Sequence, residues 1–243
     1  MHITVETFCL PKQECTWTDY EDAYYPKYLS NQRMDTFKCA VSDGATETVF
    51  CDKWAQLLVK AYCENKLEKN NWLTGLRQLQ YQWYREVNSK SLPWYIEQKR
   101  LAGACATFVG LTLYNQRHLA EVVAIGDSCL FQIRAEQLKQ CLPLQQAKQF
   151  NHTPFLLSSC ILPNENLIKI ICYEQFTWFN KDEFYLMTDA LALWFLQEHE
   201  RCNKPWHTLR RLTHTGFADW VLQLKAIKKL QDDDITLMRV FVH

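Results

Sequence analysis

Hydrophobic and polar residues alternate along several short segments of this chain, with the two-residue period that is typical of a half-buried β-strand. Residues 2–8 are the first of these segments, with Ile3 and Val5 on one predicted face. Further strands are predicted at residues 36–42, 104–114, 118–125, 129–134, 167–173, 183–188 and 234–242. The polar turns Asn115-Gln116 and Gly126-Asp127-Ser128 separate the middle strands, which favours an antiparallel meander.

Two longer segments change to the period of about 3.6 residues that marks an amphipathic helix. Their apolar positions are 54, 57, 58, 61 and 62 in the first and 72, 76, 79, 83 and 87 in the second. Ser91-Leu92-Pro93 interrupts this region, and shorter helical segments are predicted at residues 95–100, 191–198 and 217–228. A tyrosine-rich segment that ends at Tyr28 is predicted as a loop, and so are residues 138–166, with short helical pieces. Helices that follow runs of antiparallel strands favour sheets covered by outer helices.

Three aspartates lie where a predicted strand meets a loop. Asp43 follows the strand at residues 36–42, Asp189 follows the strand at residues 183–188, and Asp233 precedes the last strand. If the three strands are antiparallel neighbours in one sheet, their carboxylates meet at one edge, about 5 Å apart. Carboxylates this close repel one another unless a divalent cation lies between them, and sites made of oxygen ligands suit Mg²⁺ or Mn²⁺. The pattern predicts a metal site for phosphoryl transfer or hydrolysis.

The composition fits a single domain over residues 1–243, because 48% of the residues are hydrophobic and 14% are aromatic. The 27 basic and 27 acidic residues balance, so the net charge favours neither nucleic acid nor a membrane surface as a partner. No segment approaches the roughly 20 apolar residues of a membrane span, and the first residues lack the apolar core of a signal peptide. We therefore expect a cytoplasmic protein.

The eleven cysteines do not form a disulfide or zinc pattern, because their number is odd, their spacing is irregular and no Cys-x-x-Cys occurs. Most have apolar neighbours, which predicts reduced cysteines that pack as small hydrophobic residues. A catalytic Cys/His pair stays open as an alternative, although nothing in the sequence marks one. Metal-ligand spacing is also missing from His152, His199, His207 and His214, which we expect at the surface or in the core.

Six short motifs occur in a fixed order between residues 21 and 236. They are Glu21-Asp22-Ala23, Val41-Ser42-Asp43-Gly44, Ala102-Gly103-Ala104-Cys105-Ala106-Thr107, Ile125-Gly126-Asp127-Ser128, Leu186-Met187-Thr188-Asp189-Ala190-Leu191 and Asp233-Asp234-Ile235-Thr236. Each motif alone is weak evidence. Together, in this order and at these spacings, they resemble the motifs of the metal-dependent protein phosphatases of the 2C type.

The resemblance implies an α+β fold, a four-layer α-β-β-α sandwich with two central antiparallel sheets, and a site for two Mn²⁺ or Mg²⁺ ions at one edge. Carried over by position, Asp43 would bridge both ions and the Gly44 carbonyl would bind one of them. Asp189 and Asp233 would hold the other ion. Glycine also suits position 44 on physical grounds, because it has no Cβ to keep the backbone away from a metal.

Further acidic residues have roles implied by the same resemblance. Glu21 and Asp22 would join Asp43 in the catalytic set, acting mainly through metal-bound water. Asp127 would hold a third, weaker ion together with Asp189. Structural roles stay open as well: the turn around Asp127 joins two predicted strands, and Asp22 alone would suit a loop. The neighbouring residue Asp232 is expected to be a solvated charge.

The implied activity is the hydrolysis of phosphoserine or phosphothreonine in a protein. Two cations about 3.5–4 Å apart can bind a phosphate ester, lower the pKa of a bridging water and stabilise in-line displacement, so no covalent nucleophile is needed. The implied partners are a phosphorylated protein substrate and a cognate serine/threonine kinase, and we expect a monomer. Two alternatives stay open: a pseudophosphatase that acts as a regulatory binding module, and a phosphatase for a small metabolite. The clustered carboxylates favour an enzyme, because a scaffold does not need them.

The chain departs from the family pattern at three places. Ala45-Thr46-Glu47 stands where the family often has His-Gly-Gly or Met-Gly-Gly, so no histidine is available there to protonate the leaving group. Trp17 stands where eukaryotic members have a phosphate-binding arginine, and Ala190 replaces a glycine. These departures are similar to those of divergent bacterial members and leave the predicted metal ligands in place.

The missing arginine bears on substrate affinity. Arginine binds phosphate through two parallel charge-assisted hydrogen bonds, which tryptophan cannot make. We therefore expect the phosphate to be held weakly in the ground state. The basic residues that are candidates to replace the arginine are Lys12, Lys27 and Arg33.

Overall fold

The computed structural model describes residues 1–88, 94–150, 153–160 and 170–243. The predicted interruption at Ser91-Leu92-Pro93, the histidine His152 and the first residues of the strand predicted at 167–173 lie outside these ranges. Within the described residues, no helix is both long enough and apolar enough to cross a membrane.

The elements follow the predicted periods along most of the described chain. The strands are β1 (His2–Leu10), β2 (Ala23–Tyr25), β3 (Tyr28–Arg33), β4 (Thr36–Ser42), β5 (Cys105–Ala106), β6 (Phe108–Tyr114), β7 (Leu119–Ile125), β8 (Cys129–Arg134), β9 (Gln137–Leu142), β10 (Leu157–Ser158), β11 (Cys172–Thr177), β12 (Glu183–Met187) and β13 (Ile235–Val242). The helices are α1 (Cys51–Cys63), α2 (Trp72–Asn88), α3 (Trp94–Ala102), α4 (Asp189–Glu200), α5 (Pro205–Arg211) and α6 (His214–Ala226).

Two antiparallel sheets form the centre of the molecule. The first sheet has the strand order β3-β1-β13-β12-β8-β9, and the second has the order β11-β7-β6-β4-β2. The prediction that the strands next to Asp43, Asp189 and Asp233 are neighbours in one sheet is wrong. β12 and β13 pair in the first sheet, whereas β4 belongs to the second.

The predicted meander is also broken at its last turn. β6 and β7 pair along their whole length, but β7 belongs to the second sheet and β8 to the first. The turn residues after β7 therefore cross from one sheet to the other and do not close a hairpin. Gly126 has a φ of +93°, which disfavours any residue with a Cβ, and a Cβ there would lie 2.8 Å from the Thr107 Cγ2.

Three hydrophobic clusters separate four layers of structure. Between the sheets, Met238 of β13 and Phe37 of β4 belong to one buried cluster. The outer face of the second sheet packs against α1 and α2, where Trp54 is fully buried. The outer face of the first sheet packs against α4, α5 and α6, where Phe195 is fully buried. This arrangement is the predicted α+β sandwich of two antiparallel sheets between helical layers.

The elements that sequence reasoning missed are short or lie at sheet edges. β2 and β3 occupy the tyrosine-rich segment and its continuation, and β9 begins the segment predicted as loop at residues 138–166. All three are edge strands, so one side of each has no partner strand and β3 is largely exposed. β3 in particular lacks the alternation of buried and exposed residues on which a strand prediction depends. The missed helix α5 has seven residues, about two turns.

Candidate metal centre

The strand register of the second sheet brings three aspartates to one edge. β2 pairs with β4 so that Ala23 lies opposite Ser42, and Asp22 and Asp43 are the next residues at that end. β7 ends at the same edge, and Asp127 follows it in the crossover to the first sheet. The edge of the second sheet therefore carries acidic residues from three separate strand ends.

The first sheet brings two more aspartates to the edge that adjoins this one. β12 and β13 are antiparallel neighbours, with Met187 opposite Leu237. Asp189, just after β12, and Asp233, just before β13, therefore leave the sheet at the same end. β8 begins beside the end of β12, so the crossover that carries Asp127 joins the two edges.

A cleft of about 590 Å³ opens over this junction. The five residues predicted as metal ligands all line it: Asp43, Gly44, Asp127, Asp189 and Asp233. Apolar residues form another part of the lining: Ala147, Phe150, Pro154, Leu156 and Leu193. The cleft thus combines a cluster of carboxylates with a hydrophobic contact surface.

Burial and mutual repulsion raise the pKa of the carboxyl groups in this cluster. Burial, followed by repulsion from Asp22 and Asp189, raises the pKa of Asp43 well above its usual range. Burial and repulsion from Asp233 raise the pKa of Asp189 to about 7, and the same two causes raise the pKa of Asp127 to about 6. The pKa of Asp233 is also raised, first by burial. The groups are therefore close enough to resist ionising together.

The chemistry of these donors fits a hard divalent cation. All are carboxylate or backbone oxygens, the ligands that Mg²⁺ and Mn²⁺ prefer. Asp22 is buried behind the cleft; its Oδ2 accepts a hydrogen bond from the Thr236 Oγ1 at 2.7 Å, but its Oδ1 has no partner. Leaving a buried carboxylate oxygen unpaired is costly, and a nearby cation or its hydration shell would remove that cost.

The acidic side chains of the cleft do not meet at a single point in this structure. In the described part of the chain, no three acidic, cysteine or histidine side chains are arranged to hold one ion directly. Small hard cations keep several water ligands, which allows part of the set to act through water.

Gly44 is required by close packing around the loop after β4. A Cβ on Gly44 would lie 2.7 Å from the Glu21 carbonyl oxygen and 3.0 Å from the backbone carbonyl carbon of Cys51. Gly44 also forms a single antiparallel bridge with Ala106. The loop that presents Asp43 is therefore held on both sides, and a larger residue at position 44 would displace it.

Glu21 lies beside the cluster, and the structure does not bring it into the cleft. Its Oε2 accepts hydrogen bonds from the Lys12 Nζ at 3.2 Å and the Thr46 Oγ1 at 2.6 Å. Its Oε1 accepts a hydrogen bond from the Cys51 Sγ at 3.2 Å. Both oxygens are engaged by protein groups, so Glu21 supports the rim of the site in this structure.

Sequence reasoning missed the roles of Asp232 and Asp234. The Asp234 carboxylate accepts hydrogen bonds from the backbone amides of Lys12 and Glu21, both at 2.8 Å. Asp232, expected to be only a solvated charge, accepts one from the Gln13 amide at 3.0 Å. The two aspartates fasten the N-terminal segment to the edge of the first sheet. Because the partners are more than 200 residues apart in sequence, no local pattern indicates these contacts.

Thr107 joins the two halves of the cluster and was also missed. Its Oγ1 accepts a hydrogen bond from the Asp43 amide at 3.2 Å and lies 2.6 Å from the Ser128 Oγ. Its carbonyl accepts one from the Ser42 Oγ at 2.6 Å. Since Ser128 follows Asp127, one buried threonine connects the Asp43 loop to the crossover. The sequence offered one signal for this role: Thr107 is the last residue of the third of the six motifs.

The structure shows the surroundings of two residues that depart from the family pattern. Trp17 is exposed and packs against the Tyr20 ring, with the ring centroids 5.5 Å apart. Ala190 is the second residue of α4 and is buried. Alanine is the strongest helix former, so position 190 does not need a glycine here.

Of the three basic residues considered as replacements for the arginine, only Lys12 reaches the rim of the cleft. Its Nζ lies 3.4 Å from the Oγ1 of Thr46, which lines the cleft. Arg33 is wrong as a candidate, because it lies opposite His2 at the start of β1. The site adjoins the other end of β1, where Leu10 lies opposite Ile235, the first residue of β13. Lys27 is exposed and is not among the described residues that line the cleft.

The cysteines and histidines lie outside the carboxylate cluster. All eleven cysteines lie within the described residues, and none of them is joined in a disulfide. Cys51, the one that contacts Glu21, is buried, and burial followed by repulsion from that glutamate raises the pKa of its thiol. No histidine is among the described residues that line the cleft. His199, His207 and His214 instead contact Trp206, Glu136 and Phe8, respectively.

The raised pKa values predict how stability should change with pH in the absence of metal. Asp127 and Asp189 titrate near 6 and 7 in the folded protein, above the unfolded value of about 3.9. Their contribution to stability is therefore complete below pH ~4 and is lost as the pH rises through 7. In EDTA, we expect a lower unfolding temperature at pH 8 than at pH 5.

Saturating Mn²⁺ should reverse this loss at pH 8, raising the unfolding temperature by roughly 5–10 °C at 100 times the Kd, and should have little effect at pH 5. Calorimetry of the wild type and of Asp189→Asn tests this, with Asp219→Asn on the exposed face of α6 as the matched control. An unfolding temperature that rises with pH in EDTA, or a metal effect that is equal at both pH values, would contradict the prediction.

Sequence comparison alone finds no relative: no protein-family model matches the chain, and neither does any curated protein. Solved structures do match it over its whole length. The serine/threonine phosphatase PstP/Ppp of Mycobacterium tuberculosis matches with a TM-score of 0.67 at 13% identity, covering 100% of both chains. The catalytic domain of PstP in complex with two manganese ions matches with a TM-score of 0.61 at 14% identity, covering 99% of each chain.

A third solved structure, RsbX in complex with magnesium, matches with a TM-score of 0.54 at 16% identity. It covers 100% of this chain and 96% of RsbX. At these identities the comparisons establish the fold. The fold that the motif order implied, that of the 2C-type phosphatases, is therefore confirmed.

Proposed function

We propose that this protein is a Mn²⁺- or Mg²⁺-dependent phosphatase that hydrolyses phosphoserine or phosphothreonine in protein substrates. The observation that carries the proposal is the convergence of Asp43, Asp127, Asp189 and Asp233 in one cleft where two sheets of a phosphatase fold meet. Solved proteins with this fold contain manganese or magnesium, which supports the same ions here. A protein that used the fold only as a scaffold would gain nothing from these buried, mutually repelling carboxylates.

Some residues at the cleft would bind the ions, and Asp22 would bind water. Asp43, Asp189, Asp233 and the Gly44 carbonyl would hold two ions, and Asp127 would contribute to a third, weaker site. When bound, the ions would supply Lewis-acid stabilisation of the phosphate charge and lower the pKa of a water molecule. Beneath the cluster, the unpaired Oδ1 of Asp22 would accept a hydrogen bond from water.

The shape and lining of the cleft support a protein substrate. Beside the carboxylates, Phe150, Pro154 and Leu193 offer apolar surface to side chains that flank a phosphorylated residue. A small polar metabolite would gain little from such a surface, whereas a peptide segment would bury it. A kinase that phosphorylates the same serine or threonine would be the opposing partner.

The first test is hydrolysis of p-nitrophenyl phosphate by the purified protein with Mn²⁺, with Mg²⁺ and with EDTA. We expect turnover with either ion and none in EDTA. Iodoacetamide at pH 7 should leave the activity largely unchanged, because the thiols that contact Glu21 and the Asp127 carbonyl, those of Cys51 and Cys129, are buried and burial raises the pKa of both. Cys202 is exposed, and its alkylation, followed by mass spectrometry, shows that the reagent has acted.

Two outcomes would contradict this proposal. Full activity in EDTA, or loss of activity on alkylation without unfolding, would point to chemistry that does not use the carboxylate cluster. An absence of turnover with both ions, on aryl phosphates and on phosphoserine or phosphothreonine peptides, would favour the regulatory binding module. Faster turnover of small phosphorylated metabolites than of phosphopeptides would favour the metabolite phosphatase.

A further inference from the structure

Lys225, in the last turn of α6, is a buried lysine outside the cleft described above. Only 3% of its side chain is exposed, which is rare for a lysine unless its charge is paired. Its Nζ donates hydrogen bonds to the Asp232 Oδ1 at 2.7 Å and to the backbone carbonyl of Asp233 at 2.9 Å. The lysine therefore holds the loop between α6 and β13, which carries one of the proposed metal ligands.

The peptide group between Asp233 and Asp234 connects Lys225 to the Asp233 carboxylate, because it makes a hydrogen bond to each of them. This peptide is trans and planar, so its C=O and N–H point in opposite directions. The carbonyl points to the Lys225 Nζ, and the Asp234 amide donates a hydrogen bond to the Asp233 Oδ1 at 2.9 Å. A lysine that fixes the carbonyl also fixes the amide that orients the carboxylate.

Asp189 shows why this loop needs such a support. Its Oδ1 accepts a hydrogen bond from the following amide as well, that of Ala190, at 2.5 Å. There the amide belongs to the first turn of α4, so the helix holds it in place. Asp233 lies in a loop, where no helix fixes the next peptide group. Lys225 supplies from α6 the constraint that α4 supplies to Asp189.

We infer that Lys225 is a positioning residue that orients the Asp233 carboxylate for a divalent cation by fixing the peptide group between Asp233 and Asp234. The inference rests on the proposed function, because it takes Asp233 as a metal ligand. The ion pair with Asp232 is the less important contact. Asp232 is 48% exposed in its side chain, and water competes for its charge.

The test is the affinity of the metal-free protein for Mn²⁺, measured by titration calorimetry without substrate. Lys225→Met keeps the length of the side chain and removes its donors, and we expect it to raise the Kd for Mn²⁺ about 10- to 100-fold, the usual cost of losing a residue that orients a metal ligand. Lys228→Met, an exposed lysine three residues further on, is the matched control and should change the Kd less than about twofold.

Two further variants separate the contacts of Lys225. Asp232→Asn removes the ion pair and leaves the bond to the Asp233 carbonyl, so its Kd should stay within a few-fold of the wild-type value. Lys225→Arg keeps a donor and should recover part of the affinity lost in Lys225→Met. If Lys225→Met does not fold, Lys225→Leu, which also has no donor, takes its place, and unfolding in EDTA identifies which variants are folded.

An unchanged Kd for Mn²⁺ in a folded Lys225→Met or Lys225→Leu protein would overturn the inference, since a merely structural lysine would lower only the unfolding temperature. The failure of the proposed function gives a different result. A wild type that binds Mn²⁺ but hydrolyses no phosphate ester would contradict the proposed function. The Kd values of the wild type and the Lys225 variants would still test the inference about Lys225. A wild type that binds neither Mn²⁺ nor Mg²⁺ would contradict both.

Discussion

The Asp43→Asn variant is expected to lower kcat for p-nitrophenyl phosphate at least about 100-fold at saturating Mn²⁺. Replacing a residue that only orients a metal ligand already costs about 10- to 100-fold in metal affinity or activity, and Asp43 is proposed as a ligand itself. It is also the group whose pKa burial and four neighbouring aspartates together raise. Replacing its carboxylate with an amide removes one negative charge from the centre of the cluster. Asp233→Asn should act in the same direction.

Steady-state kinetics over a range of Mn²⁺ concentrations would check this expectation. Asp219→Asn is the matched control, because it makes the same chemical change on an exposed turn of α6. The metal-free Asp43→Asn protein should be at least as stable as the wild type at pH 8, since the substitution relieves repulsion between buried carboxylates. An Asp43→Asn protein that keeps more than about half of the wild-type kcat would contradict a role in the metal cluster.

The positions of the strand ends that carry the site could be predicted from the sequence. The assignment of these strands to two different sheets could not. The alternation around residues 36–42 and 183–188 places Asp43 and Asp189 at strand ends, where the structure has them. Assignment of strands to sheets depends on pairing between distant segments, and a two-residue period is the same in either sheet. The carboxylates therefore converge across two sheets, not along one. The motif order, which reflects the whole fold, predicted the sandwich correctly.

The supporting contacts were beyond sequence reasoning for a related reason. Asp232 and Asp234 look like surface charges in an acidic run, but their partners are backbone amides near residue 12. Lys225 has the spacing of an ordinary polar residue near the end of a helix, and its burial becomes visible only when the following loop folds back over it. Hydrogen bonds between side chains and distant backbone groups produce no periodic pattern in the sequence. They nevertheless fix the geometry on which a metal site depends.

The Lys12→Ala variant is expected to raise the KM for phosphate esters roughly 10- to 100-fold with little change in kcat at saturating Mn²⁺, because a charge-assisted contact to phosphate contributes about 1.5–3 kcal/mol. The Lys12 Nζ lies at the rim of the cleft, 3.2 Å from the Glu21 Oε2 and 3.4 Å from the Thr46 Oγ1. Burial lowers the pKa of its ammonium, but Glu21, Asp234 and Asp233 outweigh that effect and raise it, so the group is charged during turnover.

Lys12 offers one point charge where an arginine would offer a planar fork, so the wild-type KM for p-nitrophenyl phosphate should already be high, about 1 mM or more. Lys12→Arg restores the fork and should lower KM. Lys27→Ala and Arg33→Ala are the matched controls: neither residue is among the described residues that line the cleft, and neither change should alter KM. Phosphopeptides should bind better than aryl phosphates, because the apolar lining adds contacts outside the metal cluster. A low-micromolar wild-type KM that Lys12→Ala leaves unchanged would show that the phosphate is held by the ions alone, with no part for Lys12.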